Sequence, residues 1–377
     1  MEKALLNLWF NNIEDIGNIT RLRLLKNFGN VENIYEANKN VLSKHLTDIQ
    51  VNNLLQSKEI SKSKEEYERL KERNINIIYW GHRKYPSKLY NIYDSPTLLY
   101  VKGTMNDSIN SYNSNIAIVG SRKLSVYGRE ITDYFSKRLA TSEINIVSGM
   151  ARGIDSIAHM SALKAGGYTI AVLGSGINVP YPQENTELYA MIEKKGVIIS
   201  EYGLDVKPNP GYFPMRNRII SGLSDGVLVV EAEKKSGSLI TADYALEQGK
   251  QVYAVPGRLL DKNSEGTNNL IKAGAYLVTH PNDILSDIKG KKEYSQMSFN
   301  LEQPEITIQE EKDMVNKNFL APIEKIVYSC LSLEPKYIDD IIQHTGMGVT
   351  KTISTLFTME EKGLIKQPLK GYYIISI

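Results

Sequence analysis

Seven short apolar runs punctuate the chain between Ile116 and Val278, and each closes on a small or anion-friendly residue. In order they are IAIVG before Ser121-Arg122, INIVSG before Met150-Ala151-Arg152-Gly153, TIAVLG before Ser175-Gly176, GVIIS before Glu201, GVLVV before Glu231-Ala232, QVYAVPG before Arg258, and AYLV before Thr279. Their length and β-branched content predict fully buried strands, and helical patterns lie between most of them. This alternation predicts an α/β fold with a doubly wound, mostly parallel sheet. All strand exits of such a sheet open on one edge, so the Gly, Ser and Arg residues there converge on one crevice suited to an anion.

Around this core the pattern changes. Residues 1–70 carry Leu and Ile at helical spacing, and the stretch Ile16-Gly17 to Phe28-Gly29 reads as a turn, a helix and a second glycine break. That stretch resembles helix-hairpin-helix or SAM-like modules, and a small helical packing domain fits it equally. A connector over 71–110 holds candidate strands at Ile75–Trp80 and Leu98–Val101. The sheet domain is expected over 111–285, followed by a polar, aperiodic stretch at 286–319 that reads as a flexible linker. Over 320–377, three helical patterns and a hairpin predict a winged helix. Six lysines balance six acidic residues from 321 to 377, so this wing reads as a protein-interaction or regulatory module rather than a sequence-specific reader.

The 377 residues carry a net charge of only +2, which by itself does not point to nucleic acid. Distribution says more: all twelve arginines lie at or before Arg258, in the part of the chain that holds the strand exits. Guanidinium is the side chain suited to bidentate phosphate contact. No run approaches the ~18 apolar residues of a membrane span, and the start MEKALLNLWFNN lacks the pattern of a secretory signal, so a soluble, cytoplasmic protein is expected. The lone Cys330 excludes an intrachain disulfide, and the five histidines show no ligand spacing; neither a metal nor another cofactor is expected.

The motifs place the chemistry. Gly120, Ser121 and Arg122 follow a strand and precede a helix start, where amides, hydroxyl and guanidinium can meet a phosphate. The three-glycine dinucleotide signature is missing, which argues against NAD. Arg152 sits on the second turn, Asp155 reads as a helix cap, and His159 as a packed core histidine. Tyr181 offers a stacking face. In the run Tyr212-Phe213-Pro214-Met215-Arg216-Asn217-Arg218, two arginines flank an asparagine behind an aromatic pair, so cations and stacking surfaces meet. Ser236, Gly237 and Ser238 could form an anion nest at another helix start. No Ser-His-Asp elbow, Walker lysine or His-Glu-x-x-His is present, so no catalytic residue is assigned.

The stretches IAIVGSR, IVSGMARGIDSIAH, GGYTIAVLGSGINVPYPQEN, ISEYG, FPMRNRIISGLSDGVLVVEA, SGSLITADYALEQGKQVYAVPG and GTNNLIKAGA resemble the DprA/Smf family of DNA-processing proteins, in order and at family spacing over about 116–278. The resemblance implies an extended Rossmann-like domain, flanked by a SAM-like and a winged-helix domain. It further implies a non-enzymatic protein of natural transformation that binds and protects single-stranded DNA, forms a homodimer and loads the RecA recombinase. Carried over by motif, phosphate contacts fall on Gly120, Ser121, Arg122, Arg152, Arg216, Asn217 and Arg218, with Ser236, Gly237, Ser238 and Lys164 as further candidates. Two alternatives stand beside it. A Rossmann-like phosphoribohydrolase would use similar loops, but Lys235 to Thr241 replaces the Pro-Gly-Gly-x-Gly-Thr loop of such enzymes. A winged-helix regulator would work through the electroneutral 320–377 segment.

Overall fold

The computed structural model describes residues 2–105, 114–288, 322–331, 336–369 and 371–375. The linker expected at 286–319 lies almost wholly outside the described residues, as does the start of the sheet domain at 111–113. The chain divides into two compact units, Met1–Asn300 and Leu301–Ile377.

The first unit is built on one sheet of nine strands: β1 (Ile75–Tyr79), β2 (Leu98–Gly103), β3 (Asn115–Val119), β4 (Asn145–Ser148), β5 (Thr169–Leu173), β6 (Val197–Ser200), β7 (Gly226–Val229), β8 (Gln251–Ala254) and β9 (Tyr276–Leu277). All seven runs expected as strands form strands. Their order across the sheet is β1-β2-β6-β5-β4-β3-β7-β8-β9. From β6 to β9 every neighbouring pair is parallel, whereas β2 joins β6, and β1 joins β2, antiparallel. Residues 71–110 thus add two strands to the same sheet.

Burial explains why the runs are apolar without alternation. Ala117, Val119, Val172 and Val229 face one layer, with Ile219, Ile220 and Ala242 from the helices Tyr212–Gly222 and Gly237–Glu247. Ile116, Ile118, Ile146 and Leu228 face the other, with Phe135, Leu139 and Ala158 from Val126–Thr141 and Ile154–Lys164. Both faces of the central strands are covered, so both sets of their side chains must be hydrophobic.

Topology then fixes the site. From β3 the chain winds outward through β4, β5 and β6, then returns by the helix Tyr212–Gly222 to place β7 on the other side of β3. The loops leaving β3 and β7 therefore diverge, and a crevice must open between them at the carboxyl edge.

Six helices occupy residues 2–72. The helix Asp48–Gln56 opens on a capping box of Thr47 and Gln50, and Asn18–Phe28 closes at Gly29, whose φ of 82° favours glycine. These helices belong to the sheet unit: Leu8 and Leu70 pack with Tyr100 and Leu173, and the Tyr100 hydroxyl donates to Glu66 at 3.1 Å.

The second unit carries the helices Pro322–Ser329, Ile338–Thr345 and Val349–Glu361 and a three-stranded antiparallel sheet of Lys336–Tyr337, Tyr372–Ile375 and Ile365–Leu369. Its core gathers Val327, Ile341, Leu356 and Met359. Among the described residues no helix is long and apolar enough to cross a membrane.

Candidate nucleic-acid interface

The switch point holds a crevice of about 610 Å³. Its first wall is the exit of β3. A Cβ at Gly120 would overlap Ile154 and the Glu231 carbonyl, so only glycine lets the strand end this close to both. The Ser121 amide donates to that carbonyl at 2.8 Å. Its hydroxyl is engaged locally, donating to the Lys123 carbonyl at 3.0 Å and accepting from the Lys123 amide at 3.1 Å. The turn throws Arg122 and Lys123 outward, and the Arg122 guanidinium sits over the Phe213 ring, 5.5 Å from its centroid.

Glu231, at the exit of β7, braces the same turn. Its carboxylate accepts from the Ser125 amide at 3.0 Å and from the Ser125 hydroxyl. Ser125 in turn caps the helix Val126–Thr141 by accepting from the Gly128 amide. Asn263 adds a donor to the Lys123 carbonyl at 2.8 Å.

Below the crevice lies a buried charge. Arg216 is 4% exposed; its Nη1 donates to the Gly149 carbonyl at 2.6 Å and to the Val172 carbonyl, and its Nε donates to Asn217 Oδ1 at 3.1 Å. Burial pulls its pKa down to about 10, against the attraction of Asp155. A Cβ at Gly149 would overlap this guanidinium. Asp155 accepts from the Gly149 amide at 3.1 Å, and burial raises its carboxyl pKa against the opposing charge of Arg216. The loop between them turns through Met150 and Gly153, both at positive φ (59° and 79°).

The far wall supplies aromatic and hydroxyl groups. Tyr181, 42% exposed, has its ring 5.5 Å from Phe213. Ser236 caps the helix Gly237–Glu247, its Oγ lying 2.8 Å from that of Ser238, and Asn217 Nδ2 donates to the Gly237 carbonyl at 3.2 Å. Exposed cations, a stacking surface and a helix N-terminus thus meet in one concavity, a combination that fits phosphate and base together. No cluster able to hold a metal ion occurs among the described residues.

Residues 76–289, more than half of the chain, match the family model for DNA recombination-mediator protein A. The chain belongs to this DprA/Smf family. It is 46% identical over 221 residues to Protein Smf of Escherichia coli, a match covering 58% of either chain, so it spans a little over half the length of that relative. An X-ray structure of DNA processing protein A from Streptococcus pneumoniae superimposes with a TM-score of 0.68 at 35% identity, covering 75% of this chain and 97% of that one. A structure of the Helicobacter pylori protein, described for its single-stranded DNA binding mode, gives a TM-score of 0.52 at 30% identity and covers 58% of this chain and 96% of that one.

In this DprA/Smf member the crevice gathers Gly120, Ser121, Arg122, Arg216, Asn217, Ser236, Gly237 and Ser238 from the residues singled out by motif. Arg152, Lys164 and Arg218 stand apart from its lining. Arg152 is exposed and its Nε donates to Glu184 at 2.6 Å. Lys164 is the exposed last residue of Ile154–Lys164. Arg218 is buried, its Nη2 donating to both Glu201 oxygens at 2.7 Å and its Nε 3.2 Å from Asp94. The lining also includes Phe213, one of the aromatic pair read as a stacking surface, and Lys123 and Thr241, which the sequence reading did not place among the phosphate contacts. Phe213 precedes Arg216 by three positions, which on a helix places both on the same face.

Proposed function

We propose that this crevice binds single-stranded DNA, protecting incoming strands in the cytoplasm during natural transformation, and that a homodimer loads RecA onto them. The observation that carries the reading is Arg122 lying over Phe213 at the switch point, beside Tyr181 and Lys123. Backbone phosphates find cations and a helix N-terminus there, while unpaired bases find ring faces. The reading is non-catalytic: Glu201 and Glu231 are committed to Arg218 and Ser125, and Asp155 to the amides of its own loop. The end strand β9 leaves Tyr276 and Leu277 50% and 46% exposed, an apolar edge suited to pairing with a second copy.

The test is fluorescence anisotropy with single-stranded and duplex oligonucleotides of equal length at two salt concentrations. Preference for single strands is expected, with a log–log salt slope of about −0.7 per neutralised phosphate. Duplex preference, or affinity indifferent to salt, would overturn the reading. Release of free base from a nucleoside monophosphate would replace it with the phosphoribohydrolase alternative. RecA loading is read separately, as faster recombinase filament growth on coated strands.

A further inference from the structure

A second crevice, of about 920 Å³, opens on the same edge of the sheet, between the start of the helix Val126–Thr141 and the loop that follows β8. It adjoins the first. Glu233 lines both, and Asn263, in the wall of the second, donates to the Lys123 carbonyl in the rim of the first.

The outer wall is firmly founded and then left bare. Gly257 and Asn268 bond reciprocally, Gly257 N to Asn268 Oδ1 at 3.2 Å and Asn268 Nδ2 to the Gly257 carbonyl at 3.1 Å. Directly beyond this anchor, Leu259 and Leu260 are 87% and 96% exposed, between the exposed cations Arg258 and Lys262. Tyr127 lines the same crevice as Leu260; it is 45% exposed, and its hydroxyl donates to the Pro256 carbonyl at 3.2 Å. Adjacent exposed leucines on an anchored loop are a contact surface in search of apolar faces. Flanked by cations, that surface matches a polyanion whose bases are unstacked.

We propose that the second crevice receives the nucleotides next along the strand held in the first, with Arg258 and Lys262 on phosphates and Leu259, Leu260 and Tyr127 against bases. The proposal rests on the single-strand reading above. Three carboxylates line the crevice: Glu231 is buried and occupied by Ser125, while Glu233 and Asp261 are exposed, and the contacts of Arg258 and Lys262 must outweigh the carboxylates' repulsion of phosphate.

The experiment compares the full chain with two double variants, Arg258→Ala/Lys262→Ala and Leu259→Ser/Leu260→Ser, on labelled oligothymidylates of roughly 6 and roughly 20 nucleotides. All four positions are exposed, so folding is preserved. Each double variant is expected to lose roughly tenfold or more in affinity for the long strand and to bind the short strand as the parent does. The cation variant also lowers the long-strand salt slope by about 1.4, two phosphates' worth. Arg122→Ala weakens both lengths. Parent and variants binding alike at both lengths, or losing equally at both, would overturn the proposal while leaving the single-strand reading intact. A parent that binds neither length would remove that reading and this one with it. Leucine variants that change the sedimentation of the protein but not its DNA binding would assign the loop to a protein contact instead.

Discussion

Arg216 and Arg218 stand two residues apart on one helix, both 4% exposed, and end on opposite sides of it. Arg216 reaches the carbonyls of Gly149 and Val172 under the crevice; Arg218 reaches Glu201 and Asp94 on the side of the N-terminal segment. A helix turns about 200° over two residues, so one of the pair must leave the site.

The contrast with Arg122 is measurable. Arg122→Ala should leave stability unchanged and cost about 1–2 kcal/mol of single-strand binding, with the salt slope lower by about 0.7. Arg218→Ala strands the Glu201 carboxylate in the interior and should cost about 3–5 kcal/mol of stability. Under conditions where it stays folded, its DNA affinity should match that of the parent. Urea unfolding and anisotropy on the same preparations separate the two, and an Arg218 variant of parental stability would refute the assignment.

Gly149 is the position where the floor of the crevice has no slack. Gly149→Ala drives a methyl group into the Arg216 guanidinium and should destabilise the fold by about 1–3 kcal/mol, with weaker DNA binding as Arg216 shifts. Gly237→Ala is the control, since a Cβ there meets nothing within 4 Å and should change stability by less than about 0.5 kcal/mol. Equal effects from both substitutions would show that the packing around Arg216 is not what sets the cost.

Phe213 should matter through its face. Phe213→Ala removes the ring beneath Arg122 and beside Tyr181, and a loss of about 1–3 kcal/mol in single-strand affinity is expected. Phe213→Trp, which keeps a π surface, should retain most of it. Binding that follows side-chain volume in a Leu, Met, Phe, Trp series rather than aromaticity would argue for packing instead of stacking.

Most of the seven strands were legible because a strand covered on both faces is apolar throughout, and their short length and β-branched content set them apart from buried helix segments. The strands at Ile75–Tyr79 and Leu98–Gly103 were also readable as strands, but not their place in the sheet. β2 finds β6 across nearly a hundred residues, and no local pattern encodes that pairing. The site divides along the same line. Gly120, Ser121, Arg122, Ser236, Gly237 and Ser238 lie at strand exits or helix starts, where position follows from the element. Arg152 depends on Glu184 and Arg218 on Glu201, partners that only the folded chain brings near. Motif proximity placed Arg216 and Arg218 together; helical periodicity, applied to the same residues, separates them.

His159 offers a prediction in pH. The Thr169 hydroxyl donates to the Ile146 carbonyl at 2.7 Å, so the 2.6 Å contact between Thr169 Oγ1 and His159 Nδ1 has the ring as donor, a neutral imidazole protonated on Nδ1. Burial, joined by the charge of Arg216, pushes its pKa down to about 3, with the Ser148 backbone opposing. In the unfolded chain the group titrates near ~6.5, so below that pH the unfolded state takes up a proton that the native state refuses. Stability should therefore fall by about 1.4 kcal/mol per unit as pH drops from ~6.5, about 2 kcal/mol by pH ~5, before most carboxylates begin to titrate. His82, whose pKa burial also lowers, contributes in the same direction, and Asp155, whose pKa is raised, in the opposite one. The difference between parent and His159→Gln isolates His159: urea midpoints at about pH 7 and about pH 5 should converge in the variant by close to one proton's worth. A variant as pH-sensitive as the parent over that window would mean that His159 is charged, or reaches solvent, in the native state.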